Sequence, residues 1–155
     1  MSYLWVVMKL ILRSFFTTNS SDANTFSVAR WQPNGYHFEP LQFMMPYDFN
    51  GQSIKHEPPD KYLAKYVSTL QRNLGRIVSW VEGRVTLGAD TTLCCWCNPK
   101  RQQQYPQLMC HTILIGYVIE EVNRENPGRI EVKYLDGRDN PVWTREQFRD
   151  SWRQK

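Results

Sequence analysis

The chain has 155 residues and a formal net charge of +4, from 19 basic and 15 acidic side chains. Hydrophobic residues make up 41% and aromatics 14%, which excludes a disordered polymer and suits one domain, 1–155, with its own core. The charge is mild, so a phosphate-bearing ligand is compatible with it but not demanded by it.

In chain order, residues 4–12 read as a strand rich in branched and aromatic side chains. The near-continuous apolar run predicts burial on both faces, as at the centre of a parallel sheet. It is too short to span a bilayer and lacks a basic flank and a small-residue cleavage site, so neither a membrane partner nor a signal peptide is expected. A polar loop over residues 17–24 leads to a second short strand, Phe26–Trp31, which ends in the turn signal Gln-Pro-Asn-Gly. From there to Pro59 the proline content predicts irregular structure packed through Tyr36, Phe38, Phe43, Met44 and Tyr47. So long a loop is often functional.

Pro58-Pro59-Asp60 opens a helix, because proline suits a first turn and an early acid suits the dipole. Tyr62, Leu63, Tyr66, Val67 and Leu70 then recur at helical spacing, and a second helix is expected near Leu74–Val81. Thr91–Cys97 reads as a strand stopped by Asn98-Pro99, and Lys100–Pro106 as a polar loop. A helix is expected from Cys110 to about Asn126, ended by Pro127-Gly128. Arg129–Leu135 alternates as a strand, Asp136-Gly137 makes a turn, and Thr144 with Gln147 forms a capping box for a terminal helix. Strands separated by helices give an α/β fold with a mostly parallel sheet flanked by helices. The competing reading pairs residues 115–122 as a strand with 130–134, giving an α+β chain with a small C-terminal barrel-like part.

All four cysteines fall in one window: Cys94, Cys95, Cys97 and Cys110. Near-adjacent cysteines on one strand rarely pair, so a reduced, cytoplasmic setting fits better than a secreted disulfide framework. On a strand, residues two apart share a face, so Cys95 and Cys97 point one way and Cys94 and Trp96 the other. In a parallel sheet Cys97 lies at the C-terminal end of its strand, where ligand crevices form. Cys110 and His111 open the next helix, whose N-terminus lowers a thiol pKa and attracts anions.

Three readings follow. Cys95, Cys97, Cys110 and His111 have the ligand types of a tetrahedral zinc site, although their spacing differs from the usual Cys-x-x-Cys knuckle. Cys110 and His111 could instead act as nucleophile and general acid–base pair in a crevice sized for phosphate or nucleotide. In the third reading the cysteines only fill a strand–helix contact, with His111 as a cap. Zinc is the single cofactor these residues suggest.

Met8–Leu12, the run Ser27-Val-Ala-Arg30-Trp-Gln-Pro33, Tyr62-x-x-x-Tyr66, Leu93-Cys-Cys95-Trp-Cys97 and Cys110-His111 occur in a fixed order. In that order they resemble the family known as domain of unknown function 488 and its relative, domain of unknown function 4326. The resemblance covers residues 8–120 and leaves 121–155 as a C-terminal extension. It departs where those families carry Arg or Gly at Thr112 and Glu at Cys97, and the second change moves the site towards thiol or metal chemistry. The resemblance implies a fold and a site location, and it nominates Arg30 to hold a phosphate or carboxylate.

Trp31, His37 and Lys100 complete the expected ligand-binding set. The leading expectation is a domain that binds, and has the groups to process, a nucleotide or nucleic-acid-derived phosphate ligand at a Cys/His crevice. The alternative is a zinc-stabilised, non-catalytic module for a nucleic-acid or protein partner, with the basic run Arg145–Lys155 as one contact surface. A protein-binding role through the aromatic loop from Tyr36 to Tyr47 is the third.

Overall fold

A computed structural model describes residues 6–48, 50–97 and 107–153. Five strands form one all-parallel sheet: β1 (Met8–Ser14), β2 (Thr25–Ser27), β3 (Glu39–Pro40), β4 (Thr91–Cys95) and β5 (Ile130–Tyr134). Their order across the sheet is β3-β2-β4-β1-β5. The helices are α1 (Pro59–Arg72), α2 (Leu74–Leu87), α3 (His111–Val122) and α4 (Arg145–Arg153). The fold is therefore the expected single-domain α/β architecture.

The helices form where local chemistry asks for them. Pro59 and Asp60 open α1, and Tyr62, Leu63, Tyr66, Val67 and Leu70 are its buried stripe. Gly88, at φ +67°, ends α2 in the left-handed conformation that glycine adopts without steric cost. The α4 capping box closes as expected: Gln147 Oε1 accepts from the Thr144 amide at 2.8 Å, and Thr144 Oγ1 accepts from the Gln147 amide at 3.0 Å. Every residue of α3 from His111 to Ile119 is buried, so this helix is the centre of the molecule.

Four expectations need correction. Residues 111–122 are helical, so the barrel-like ending does not occur. The first strand begins at Met8 and alternates: Met8, Leu10, Leu12 and Ser14 are buried, while Lys9 is exposed and Ile11 and Arg13 are half-buried. The reason is that all four helices share a single core with Met8, Leu10, Leu12, Leu93 and Cys95 on one sheet face. On the other face, Phe15, Ala29 and Phe38 form a smaller cluster around Cys94 among the described residues. The second strand stops at Ser27, short of Arg30 and Trp31. Lastly, the proline-rich stretch supplies an edge strand, Glu39–Pro40, where a missing N–H is tolerated.

That stretch is tied to α1 and α2 through its carbonyls. Tyr66 Oη donates to the Met44 carbonyl, Thr69 Oγ1 to that of Tyr47, and Asn73 Nδ2 to that of Phe43 at 3.1 Å. The terminal helix packs inward through Phe148, and Gln71 Nε2 donates to the Trp152 carbonyl at 2.8 Å. Two of its basic residues face α3: Arg145 pairs with Glu120 at 2.8 Å, and Arg149 lies 3.9 Å from Glu121.

Candidate metal centre

Parallel pairing aligns the C-terminal ends of β1, β2 and β4 along one edge. The two-residue strand period splits the cysteines there as the sequence implies. Cys94 turns to the loop-covered face, where its thiol meets Thr18 Oγ1 at 3.4 Å, and Trp96 packs edge-on against Phe15 on that side. Cys95 belongs to the helix-facing core, with Cys97 packed against it. Cys110 adopts extended dihedrals (φ −125°, ψ 130°) as the residue that caps α3, which aims its side chain back at the strand end.

The sulfurs of Cys95, Cys97 and Cys110 all lie within 4.8 Å of one another, close enough together to hold a metal ion. Cys95 Sγ and Cys110 Sγ are 3.2 Å apart, and Cys110 Sγ is 3.0 Å from Thr112 Oγ1. Cys95 and Cys110 are each about 1% exposed, and Cys97 is half-buried. Thiolates are the ligands that soft divalent metals prefer.

Arg138, which no motif in the sequence marks, completes the site. Arg138 follows the Asp136-Gly137 turn after β5 and is 1% exposed. Its Nε donates to Thr112 Oγ1 at 2.6 Å and its Nη1 to the Leu135 carbonyl at 3.0 Å. Its Nη2 reaches Cys95 Sγ at 2.5 Å and Cys110 Sγ at 3.7 Å, and Nη1 lies 3.8 Å from Asp136 Oδ2. Asp136 itself also accepts from the Ser14 amide at 2.8 Å, which fixes the turn to the end of β1. The signal in the sequence was Arg138 beside a turn at the C-terminal end of a parallel strand, the same edge as the cysteines.

The electrostatics follow from this contact. Burial would push the Cys110 thiol up, but hydrogen bonds from Cys95 and Cys97, the Arg138 charge and a His111 hydrogen bond outweigh it and hold Cys110 well below the usual thiol value. Burial and the Cys110 contact push Cys95 up to about 12. Hydrogen bonds to Cys110 and Cys95, followed by burial, push Cys97 up as well. Burial disfavours the Arg138 cation, yet the charges of the three cysteines more than restore it and raise its pKa. The Arg138 guanidinium thus faces the thiol whose ionised form it favours.

The remaining expected site residues go elsewhere. His111 directs Nε2 to the Val28 carbonyl at 2.8 Å, joining the start of α3 to the chain leaving β2, and its ring stands edge-on to Tyr66. His111 is not one of the three clustered metal-ligand side chains. Arg30 and Trp31 are exposed, with the Arg30 guanidinium over the Trp31 and Tyr47 rings at 5.6 and 5.8 Å. His37 is exposed. Lys100 lies outside the described residues.

No helix among the described residues is long and apolar enough to cross a membrane. Comparison with known proteins adds no identity: no family model, no curated protein and no solved structure matches the chain.

Proposed function

We propose that Cys95, Cys97 and Cys110 bind one zinc ion as thiolates, making the chain a zinc-stabilised, non-catalytic binding module. The observation that carries this reading is the convergence of three sulfurs on one point beside a buried cation. Zinc with three thiolates carries a net charge of −1, which the Arg138 guanidinium neutralises in place. Zinc binding displaces the protons that these thiols carry without it, and the lowered pKa of Cys110 favours its thiolate beforehand. The metal would tie the end of β4 to the start of α3, and Arg138 extends that tie to the chain after β5.

Metal analysis of protein purified without added zinc tests the reading. One equivalent is expected, and a strong chelator that removes it should lower the urea midpoint of the folded protein. The second reading, a reactive thiol that processes a phosphate ligand, rests on the lowered Cys110 pKa at the start of a helix. Metal-free, fully folded protein whose Cys110 alkylates quickly below neutral pH would favour that reading over zinc.

A further inference from the structure

The aromatic residues on the strand-end edge point to a second site, separate from the cysteines. Among the described residues, the well-exposed Phe and Trp side chains are Phe16 (56%), Trp31 (70%) and Trp96 (43%). Each follows the C-terminal end of a different parallel strand, β1, β2 and β4, so the topology gathers them on one edge. They are held there. The Phe16 and Trp96 rings meet edge-on at 6.0 Å, and Trp96 Nε1 donates to the Trp31 carbonyl. Arg30 lies over both the Trp31 and Tyr47 rings, which links the aromatics to the next feature.

That feature is a cavity of about 430 Å³ lined by Tyr47, Thr69, Arg72, Asn73 and Arg76 among others. Its volume falls in the range of small-molecule sites. One carboxylate, Asp48, also lines it, and this group is engaged by the backbone amides of Asn50 and Gln52 at 2.9 Å each. No carboxylate pairs with Arg30 or Arg76 among the described residues. A row of exposed aromatic side chains beside the Arg30 and Arg76 cations has the chemistry to meet a strand whose bases stack and whose backbone is charged.

We propose that the edge formed by Phe16, Trp96, Trp31, Arg30 and Tyr47, continuing to Arg76, binds single-stranded nucleic acid. Bases stack on the exposed rings, and Arg30 and Arg76 meet phosphates. Open sheet edges of parallel folds place ligands outside the C-terminal strand ends, which is where this row lies. The α4 helix is the poorer candidate because its Arg145 and Arg149 already face Glu120 and Glu121. The proposal does not depend on zinc, since none of these side chains belongs to the thiol cluster.

Fluorescence anisotropy with labelled oligouridine and oligothymidine of about twelve nucleotides tests it, since single-strand sites span roughly 4–16 nucleotides. Binding of either oligomer, weakened about 5- to 150-fold by Trp31→Ala and largely restored by Trp31→Phe, is the expected result. Arg30→Gln should lower the slope of log affinity against log salt by about 0.7, one phosphate contact on a single strand. Preference for the RNA or the DNA oligomer identifies which strand the edge accepts. All three substitutions are at exposed positions, and unchanged thermal melting confirms that each variant is folded. Three results would each overturn the proposal: no binding at low salt, a duplex or polyglutamate bound as tightly as the single strand, or affinity indifferent to Trp31→Ala. Zinc content, measured on the same samples, is expected to stay constant throughout, so this test and the metal test fail independently.

Discussion

Replacing Arg138 with methionine is the most revealing perturbation of the site. The side chain is 1% exposed, so its apolar volume is largely kept by Met while every polar contact is lost. Gone are the bonds to Thr112 Oγ1 at 2.6 Å, the Leu135 carbonyl at 3.0 Å and Cys95 Sγ at 2.5 Å. The Cys110 thiolate is left without its facing cation and must take up a proton or remain as a buried charge. Removing one partner of a buried pair costs about 3–5 kcal/mol, against a total of about 5–15 kcal/mol for a domain. Urea unfolding followed by tryptophan fluorescence, in reductant and chelator so that metal does not contribute, measures the loss. Adding Cys110→Ser to Arg138→Met removes the stranded anion. The double variant should therefore be more stable than the sum of the single losses, by at least about 1 kcal/mol. A cost below about 1 kcal/mol for Arg138→Met, or additivity within about 0.5 kcal/mol, would refute the thiolate–guanidinium pairing.

The same pairing gives metal-free, reduced protein a stability maximum near the ordinary thiol pKa of about 8.5. Cys110 is held low in the folded state, so its contribution is full above that value and is lost as pH falls through the folded pKa. Cys95, raised to about 12, contributes fully below about 8.5 and loses that contribution as pH rises towards 12. Urea midpoints measured from pH 6 to 10 should fall on both sides, and Cys110→Ser should flatten the acid side; an unchanged acid limb in that variant would rule out the thiolate. At Gly116, an added Cβ would sit 2.6 Å from Tyr134 Oη and 2.9 Å from Leu12 Cδ1. Overpacking costs about 1–3 kcal/mol and the gain in helix propensity returns about 1. Gly116→Ala should thus lower stability by about 1 kcal/mol in urea, with Tyr134→Phe recovering part of it, whereas a net gain would show that α3 has room against the sheet.

Much of this architecture is local and could be read from the chain. The Tyr62–Leu70 spacing, Pro59 at a helix start and the Thr144–Gln147 box each act within a few residues, so periodicity and capping chemistry reveal them. The separation of Cys94 and Trp96 from Cys95 and Cys97 is equally local, because it needs only the two-residue period of a strand. The apolar run of β1 predicts burial on both faces, yet only alternate residues are fully buried, because such a run does not say where helices dock. His111 adjoins Cys110 in the chain, but adjacency does not set a ring's direction, and only the fold directs its Nε2 to the Val28 carbonyl.

The sequence by itself determined the alternation of strands and helices and the clustering of thiols at one strand end, since both arise from short-range geometry. Only the tertiary structure decided what faces those thiols. Arg138 is 28 residues beyond Cys110 and 43 beyond Cys95, and it reaches them because β5 runs parallel beside β1 and ends at the same edge. Strand order likewise brought Phe16, Trp31 and Trp96 together from three separate segments. No local spacing encodes such meetings; they depend on which strands become neighbours, and burial of the shared core selects that arrangement.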